Sequence, residues 1–218
     1  MSLIDFPDPR LASYEGIVAL GGQLTTENLL EAYRRGIFPW PMDGWPLPWV
    51  CPEVRAILEF KDLRVPRRLQ RWLRNSSLRC TIDRDFRGVI TNCARVKRAG
   101  EAGTWITPQM IRAYCELHEL GHAHSVEVWD DEGNLVGGLY GVDADGSFGG
   151  ESMFHLQPNA SKLALLHLTE HLKSRGSDWM DIQVLTPHMQ VLGAREIERE
   201  EFLARLQAAR TRSLKLFD

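Results

Sequence analysis

The sequence predicts an α/β (α+β) protein with a small N-terminal domain over residues 1–60. A larger domain over residues 61–218 is expected to hold a mainly antiparallel mixed sheet. Three observations carry that expectation. The 218 residues are 44% apolar and 25% charged, enough for one large core or two small ones. Residues 37–52, IFPWPMDGWPLPWVCP, hold three Trp and five Pro, which no regular helix or central strand tolerates. Beyond residue 107 the chain reads as a helix, three turn-linked strands, a second helix and one apolar strand.

The first third reads as loops and short helices. Thr25 or Thr26 caps a helix carrying Asn28, Leu29, Leu30, Ala32 and Tyr33, and Gly36 closes it. The Trp/Pro stretch that follows is either a hydrophobic plug between domains or a set of rigid aromatic faces on which the bases of a single-stranded 3′ end stack. Pro66 suits a first helical position. Leu69, Trp72 and Leu73 follow it at helical spacing, which turns Arg67, Arg68, Arg71 and Arg74 outward. Thr107-Pro108 starts a helix through Met110, Ile111, Tyr114 and Leu117 that stops at Gly121. HSVEVWD (124–130), NLVGGLYGV (134–142) and SFGGESMF (147–154) then form a meander, with DEGN and DADG as its turns. Asn159 caps a helix to Gly176, and WMDIQVL (179–185) is a largely apolar strand with two polar residues inside it.

Charge is distributed unevenly. The segment from Lys61 to Arg98 holds twelve Lys/Arg against three Asp, a local balance of +9; with a net charge of −3, the rest of the chain carries −12. A solvated face usually mixes signs, so this basic stripe favours a polyanionic partner, with Arg67, Arg68, Arg71, Arg74, Lys97 and Arg98 as the RNA-facing candidates. No window approaches the roughly 18 to 20 apolar residues of a membrane span, and the N-terminus lacks a basic segment followed by an apolar run. A cytoplasmic monomer without membrane contact is expected. The four cysteines form no CxxC pair, so neither a disulfide framework nor a zinc knuckle is suggested.

The candidate chemistry lies in the second half. His118-Glu119-Leu120-Gly121-His122 matches HExxH, but Gly121 should end the helix between the two histidines, and no metal is expected. Glu151 sits in Gly-Gly-Glu-Ser-Met, at the end of a strand otherwise built to be buried. It either accepts hydrogen bonds from a substrate ammonium, with Met153 lining an apolar pocket, or is a paired core carboxylate; the first reading is favoured. Asp181 and Gln183, two apart in a strand, leave the same face and are read as lining the site, against a purely structural Asp–Gln pair. Neither a Ser-His-Asp nor a Cys-His arrangement is evident, so covalent catalysis is not expected. The order helix, three antiparallel strands, helix, strand resembles the N-acyltransferase (GNAT-like) fold. The pyrophosphate loop of an acetyl-CoA enzyme is missing, which implies another acyl donor and no cofactor.

Six segments, IVALGGQLTTENLLEAYRRGIFPW (17–40), GTWITPQMIRAYCELHELGHAHSVEVW (103–129), LVGGLYGV (135–142), GESMF (150–154), NASK (159–162) and DIQ (181–183), resemble leucyl/phenylalanyl-tRNA–protein transferases over nearly the whole chain. The resemblance implies transfer of Leu, Phe or Met from aminoacyl-tRNA to acceptor proteins with an N-terminal Arg or Lys, which marks them for N-degron proteolysis. It also implies that Asp181 and Gln183 are the catalytic pair and that Glu151 orients the aminoacyl group; Gln183, polarised by Asp181, is then expected to contact the attacking amine, with proton movement by the substrate's own groups as the alternative. Leu139, Met153 and Leu168 wall the hydrophobic pocket, and Trp40 and Trp105 hold the terminal adenosine. The chain departs from the family's pattern at Trp49-Val50-Cys51-Pro52, where Trp-Trp-Ser-Pro is usual, at Ile182 (Cys) and at His155 (Ser). Two other readings remain: a ligase of the same fold acting on a different amine, and a non-catalytic tRNA-binding module, which would not require Glu151, Asp181 and Gln183.

Overall fold

A computed structural model describes residues 3–96 and 104–218. Near the N-terminus, strands β1 (Ile17–Leu20), β2 (Phe38–Pro39) and β3 (Pro48–Val50) form a small antiparallel sheet in the order β1-β3-β2. The prolines of residues 37–52 keep these strands short, because each removes a ladder N–H. Helix α1 (Thr26–Arg34) begins where the Thr25 hydroxyl accepts the Asn28 N–H at 3.2 Å. The chain leaves α1 through Gly36 at φ +77°, and a Cβ there would lie 2.8 Å from the Phe202 ring.

The second sheet has seven strands in the order β10-β4-β9-β8-β7-β6-β5. They are β4 (Val54–Glu59), β5 (Arg79–Ile82), β6 (Ala123–Trp129), β7 (Leu135–Asp143), β8 (Phe148–His155), β9 (Trp179–Gln183) and β10 (Arg195–Glu198). All neighbours are antiparallel except β8 and β9. A parallel pair needs a crossover, and helix α5 (Ala160–Ser174) provides it. The parallel pairing is confined to Gly149 opposite Asp181. The mixed, mainly antiparallel sheet and the order of elements from residue 107 to residue 183 are those expected. Strand β4 was not anticipated. It lies before residue 60, yet it inserts between β10 and β9, with Arg55, Ala56, Ile57 and Leu58 all buried.

Helices cover both faces. On one, α3 (Phe86–Arg95) and α4 (Pro108–Glu119) pack with Tyr140 and Phe154 in a core that continues to Trp49 and Leu29 of the N-terminal sheet and helix. On the other, α5 packs on Val126, Leu139 and Phe148. Helix α2 (Arg67–Arg74) starts one residue after Pro66, buries Leu69 and exposes Arg67, Arg68, Arg71 and Arg74. In α4 the Thr107 hydroxyl accepts the Met110 N–H, and the helix exits through Gly121 at φ +78°. His122 therefore lies past the last turn, and the His118 ring stacks on Phe86. Asn159 precedes α5 as expected, but in a left-handed conformation (φ +66°); its side-chain oxygen binds Lys162 Nζ instead of capping the helix. Helices α6 (Pro187–Val191) and α7 (Arg199–Thr211) flank β10. Among the described residues, no helix is long and apolar enough to cross a membrane, and none of the four cysteines is in a disulfide.

Candidate active site

Two facing β-bulges build the site. Opposite β7, Ser152 pairs with Tyr140 and Gly150 with Gly141, which leaves Glu151 as an extra residue on β8. The bulge reverses the facing of the strand. Phe148 and Phe154 are six residues apart and would share a face in regular strand, yet Phe148 packs on the α5 side and Phe154 on the α3/α4 side. Gly141 permits it, because a Cβ there would collide with the Gly149 carbonyl oxygen and the Phe148 ring. On β9, Asp181 lies opposite Ile57 and Gln183 opposite Ala56, so Ile182 is extra. Gln183 takes φ +56°, and the Val184 N–H bonds back to the Ile182 carbonyl, which ends the strand two residues earlier than expected. A left-handed glutamine is backbone strain held by its surroundings.

The two bulges aim their side chains at each other. Gln183 Nε2 donates to Glu151 Oε1 at 2.7 Å. The Tyr114 hydroxyl donates to Glu151 Oε2 at 3.4 Å, and the Tyr33 and Tyr114 hydroxyls are 2.5 Å apart. Burial pushes the Glu151 carboxyl up to about 7, helped by the negative charge of Asp181; hydrogen bonds from both tyrosines and the charge of Arg55 pull the other way. Burial also holds both tyrosine hydroxyls well above their ordinary range, so they remain donors.

Asp181 and Gln183 come together over Gly149, as the sequence suggested: a Cβ on that glycine would sit 3.8 Å from Asp181 Oδ2 and 3.7 Å from Gln183 Nε2. Their contact differs from the expected one. Asp181 Oδ1 accepts the Gln183 backbone N–H at 2.9 Å, while the Gln183 carboxamide is bound by Glu151. The Asp181 carboxylate is occupied by Arg55, with Nε to Oδ1 at 2.9 Å and Nη2 to Oδ2 at 2.7 Å. The arginine is 1% exposed, donates also to the Gly36 carbonyl, and lies over the Phe38 and Phe202 rings at 4.5 and 4.3 Å.

The other expected residues fall in two groups. Trp40, 38% exposed, faces Trp105 with rings 11° from parallel and centroids 6.2 Å apart. Phe38 links this pair to Arg55, because its ring also makes a T-shaped contact with Trp40, the centroids 5.8 Å apart. Leu139 and Leu168 are packed in the α5-side core at 4% and 1% exposure; only Met153, opposite Leu139, is partly open. On α2, Arg67, Arg68, Arg71 and Arg74 make no side-chain ion pair among the described residues. Lys97 and Arg98 lie outside the described residues. A cleft of about 170 Å³ lies between Met42, Trp45, Leu47 and Met110, in the Trp/Pro-rich segment and away from Gln183. Arg55, Tyr33 and Tyr114 were not singled out from the sequence. Only Arg55 left a signal, as a charge set between Val54 and the apolar residues Ala56, Ile57 and Leu58.

The family model described as leucyl/phenylalanyl-tRNA protein transferase matches residues 57–207, and the model for that family's N-terminal domain matches residues 22–53. The chain belongs to this family. Leucyl/phenylalanyl-tRNA–protein transferases from Maridesulfovibrio salexigens and Anaeromyxobacter dehalogenans are each 50% identical to it over 94% of the chain, which spans 85% and 87% of their lengths. One from Nitratidesulfovibrio vulgaris is 48% identical over 94% of the chain and 87% of its own. Among solved structures, a GCN5-related glucosamine N-acetyltransferase region of a fungal β-N-acetylglucosaminidase aligns with a TM-score of 0.47 at 13% identity, over 84% of this chain and 23% of that one. As a member of the transferase family, the protein is an aminoacyltransferase. Of its departures from the family's pattern, Ile182 is the extra residue of the β9 bulge and His155 is the exposed end of β8.

Proposed function

We propose that the protein transfers Leu, Phe or Met from aminoacyl-tRNA to the α-amine of an N-terminal Arg or Lys on acceptor proteins, marking them for N-degron proteolysis in the cytoplasm. The observation that carries this reading is the 2.7 Å bond between Gln183 and Glu151, which joins the β9 and β8 bulges beside Asp181 in a chain of this family. Glu151 accepts the ammonium of the aminoacyl group, whose apolar side chain extends towards Met153 and, with local repacking, towards Leu139 and Leu168. The α5-side core is the apolar medium such a side chain requires.

In the transfer, the lone pair of the acceptor amine attacks the ester carbonyl carbon. The C–N bond forms, the C–O bond to the tRNA 3′ oxygen breaks, and the proton lost by the amine balances the one gained by the leaving oxygen. An α-amine has a pKa near 8, so the ester needs mainly a positioned, neutral nucleophile. Because its Nε2 is engaged by Glu151, the Gln183 carboxamide oxygen is left to accept the amine N–H. Asp181 acts by holding Gln183 through its backbone N–H. Trp40 and Trp105 stack on the terminal adenosine, and the arginines of α2, with Lys97 and Arg98, neutralise tRNA phosphates. The expected test is a Gln183→Ala chain in single-turnover transfer: the rate should fall at least tenfold with the tRNA Kd unchanged. An unchanged rate would remove Gln183 from the mechanism.

A further inference from the structure

Asp181 is held more firmly than a carboxylate needs to be to receive one backbone N–H. Among the described residues, the one cation bonded to it is Arg55, which grips both carboxylate oxygens from β4, the neighbouring strand. A bidentate guanidinium fixes the plane of the carboxylate as well as its position, which a point charge cannot do. The guanidinium is itself fixed from three further directions: by the Gly36 carbonyl at 3.1 Å and by the rings of Phe38 and Phe202. These anchors come from the exit of α1, the small sheet and α7. At the far end of the chain of contacts, Asp181 Oδ1 holds the Gln183 N–H in its left-handed turn, where the carboxamide reaches Glu151.

We infer that Arg55 is a positioning residue for aminoacyl transfer: acting through Asp181, it sets the Gln183 turn and ties it to Phe38 and the aromatic pair Trp40–Trp105. This rests on the reading of Gln183 and Asp181 given above. It follows that Arg55 should influence the chemical step and hardly affect tRNA affinity. It should also have no influence once Asp181 can no longer receive it. Lysine keeps the charge but not the fork, so a simple need for charge and a need for geometry make different predictions.

The test is a cycle of Arg55→Met, Asp181→Asn and the double variant, with Arg55→Lys beside it, each assayed for single-turnover transfer from Leu-tRNA to an Arg-initiated peptide, for kcat and KM, and for Tm. Arg55→Met alone strands a buried carboxylate and risks misfolding, whereas the double variant removes both charges together and keeps an acceptor for the Gln183 N–H. Arg55→Met is expected to lower kcat at least tenfold with KM for Leu-tRNA within twofold, and Arg55→Lys to recover less than half of that loss. The double variant should be no slower than Asp181→Asn. Among the described residues, the other charged or titratable groups around Asp181 are Glu151 and Cys51, with Arg199 and Arg10 beyond Cys51. A double variant at least fivefold slower than Asp181→Asn, or wild-type kcat in Arg55→Lys, would overturn the inference. A wild-type chain that transfers nothing would instead overturn the transferase reading.

Discussion

Glu151→Gln should make the protein more stable and less active. In the folded chain the Glu151 carboxyl is raised from its ordinary 4.5 to about 7, chiefly by burial. At about 1.4 kcal/mol per pH unit, ionising it there costs about 3 kcal/mol more than in the unfolded chain; partial exposure trims this to about 2 kcal/mol. The sign follows from proton binding. Between pH 4.5 and 7 the folded state holds this proton more tightly than the unfolded state, so stability is lost as pH rises through that window, and the loss is complete above it. Glutamine carries no such burden, and its amide oxygen can still accept the bond from Gln183 Nε2. The variant should match the wild type near pH 4.5 and exceed it by about 2 kcal/mol at pH 8.5, a Tm rise of about 4–8 °C for a chain of this size. Transfer should fall about 10- to 150-fold, the worth of a charged hydrogen bond of about 1.5 to 3 kcal/mol to the substrate ammonium. Thermal unfolding followed by circular dichroism at the two pH values, with transfer measured on the same preparations, reads both effects. A variant less stable than wild type at pH 8.5 would refute the account of why this carboxylate is costly.

Replacing Trp40 or Trp105 by Ala should raise KM for Leu-tRNA about 5- to 150-fold, from about 1 to 3 kcal/mol of base stacking, and leave kcat with saturating tRNA near wild type; a changed kcat with constant KM would place the pair elsewhere in the mechanism. Changing Arg67, Arg68, Arg71 and Arg74 together to Ala should reduce the slope of log K against log salt for tRNA binding by about 3, and titrations between 50 and 200 mM salt measure it. An unchanged slope would remove α2 from the interface. At Glu59, burial raises the carboxyl, but Arg205 and Arg195 outweigh it and hold it down at about 2. Here the stability is present above pH 4.5 and is lost as pH falls towards 2. Glu59→Gln should therefore cost about 1 to 2 kcal/mol at pH 7, allowing for screening of the half-exposed Arg195, with the gap to wild type closing in acid.

The parts of the fold that follow local rules were legible from residue chemistry. Thr25, Thr107, Gly36 and Gly121 sit at helix ends because capping and left-handed exits are decided within a few residues. The meander of β6, β7 and β8 declared itself by alternation and by its two turns. Strand β4 did not, because a central strand buried on both faces loses its alternation, and Arg55 inside it looks like a surface residue until Asp181 is placed beside it. Bulges leave little trace in a single sequence. Asp181 and Gln183 could be paired by their spacing, but that Gln183 turns left-handed and meets Glu151 depends on strand register across β4, β9, β8 and β7. Asn159 misled for a related reason: it stands at the helix start in a conformation that turns its side chain away from the cap.

Transfer of radiolabelled leucine from Leu-tRNA to a protein beginning with Arg, beside the same protein beginning with Met, decides whether the chain is the transferase proposed here. Label on the Arg-initiated protein alone is the predicted result. Tight binding of Leu-tRNA with no label on either acceptor would contradict it.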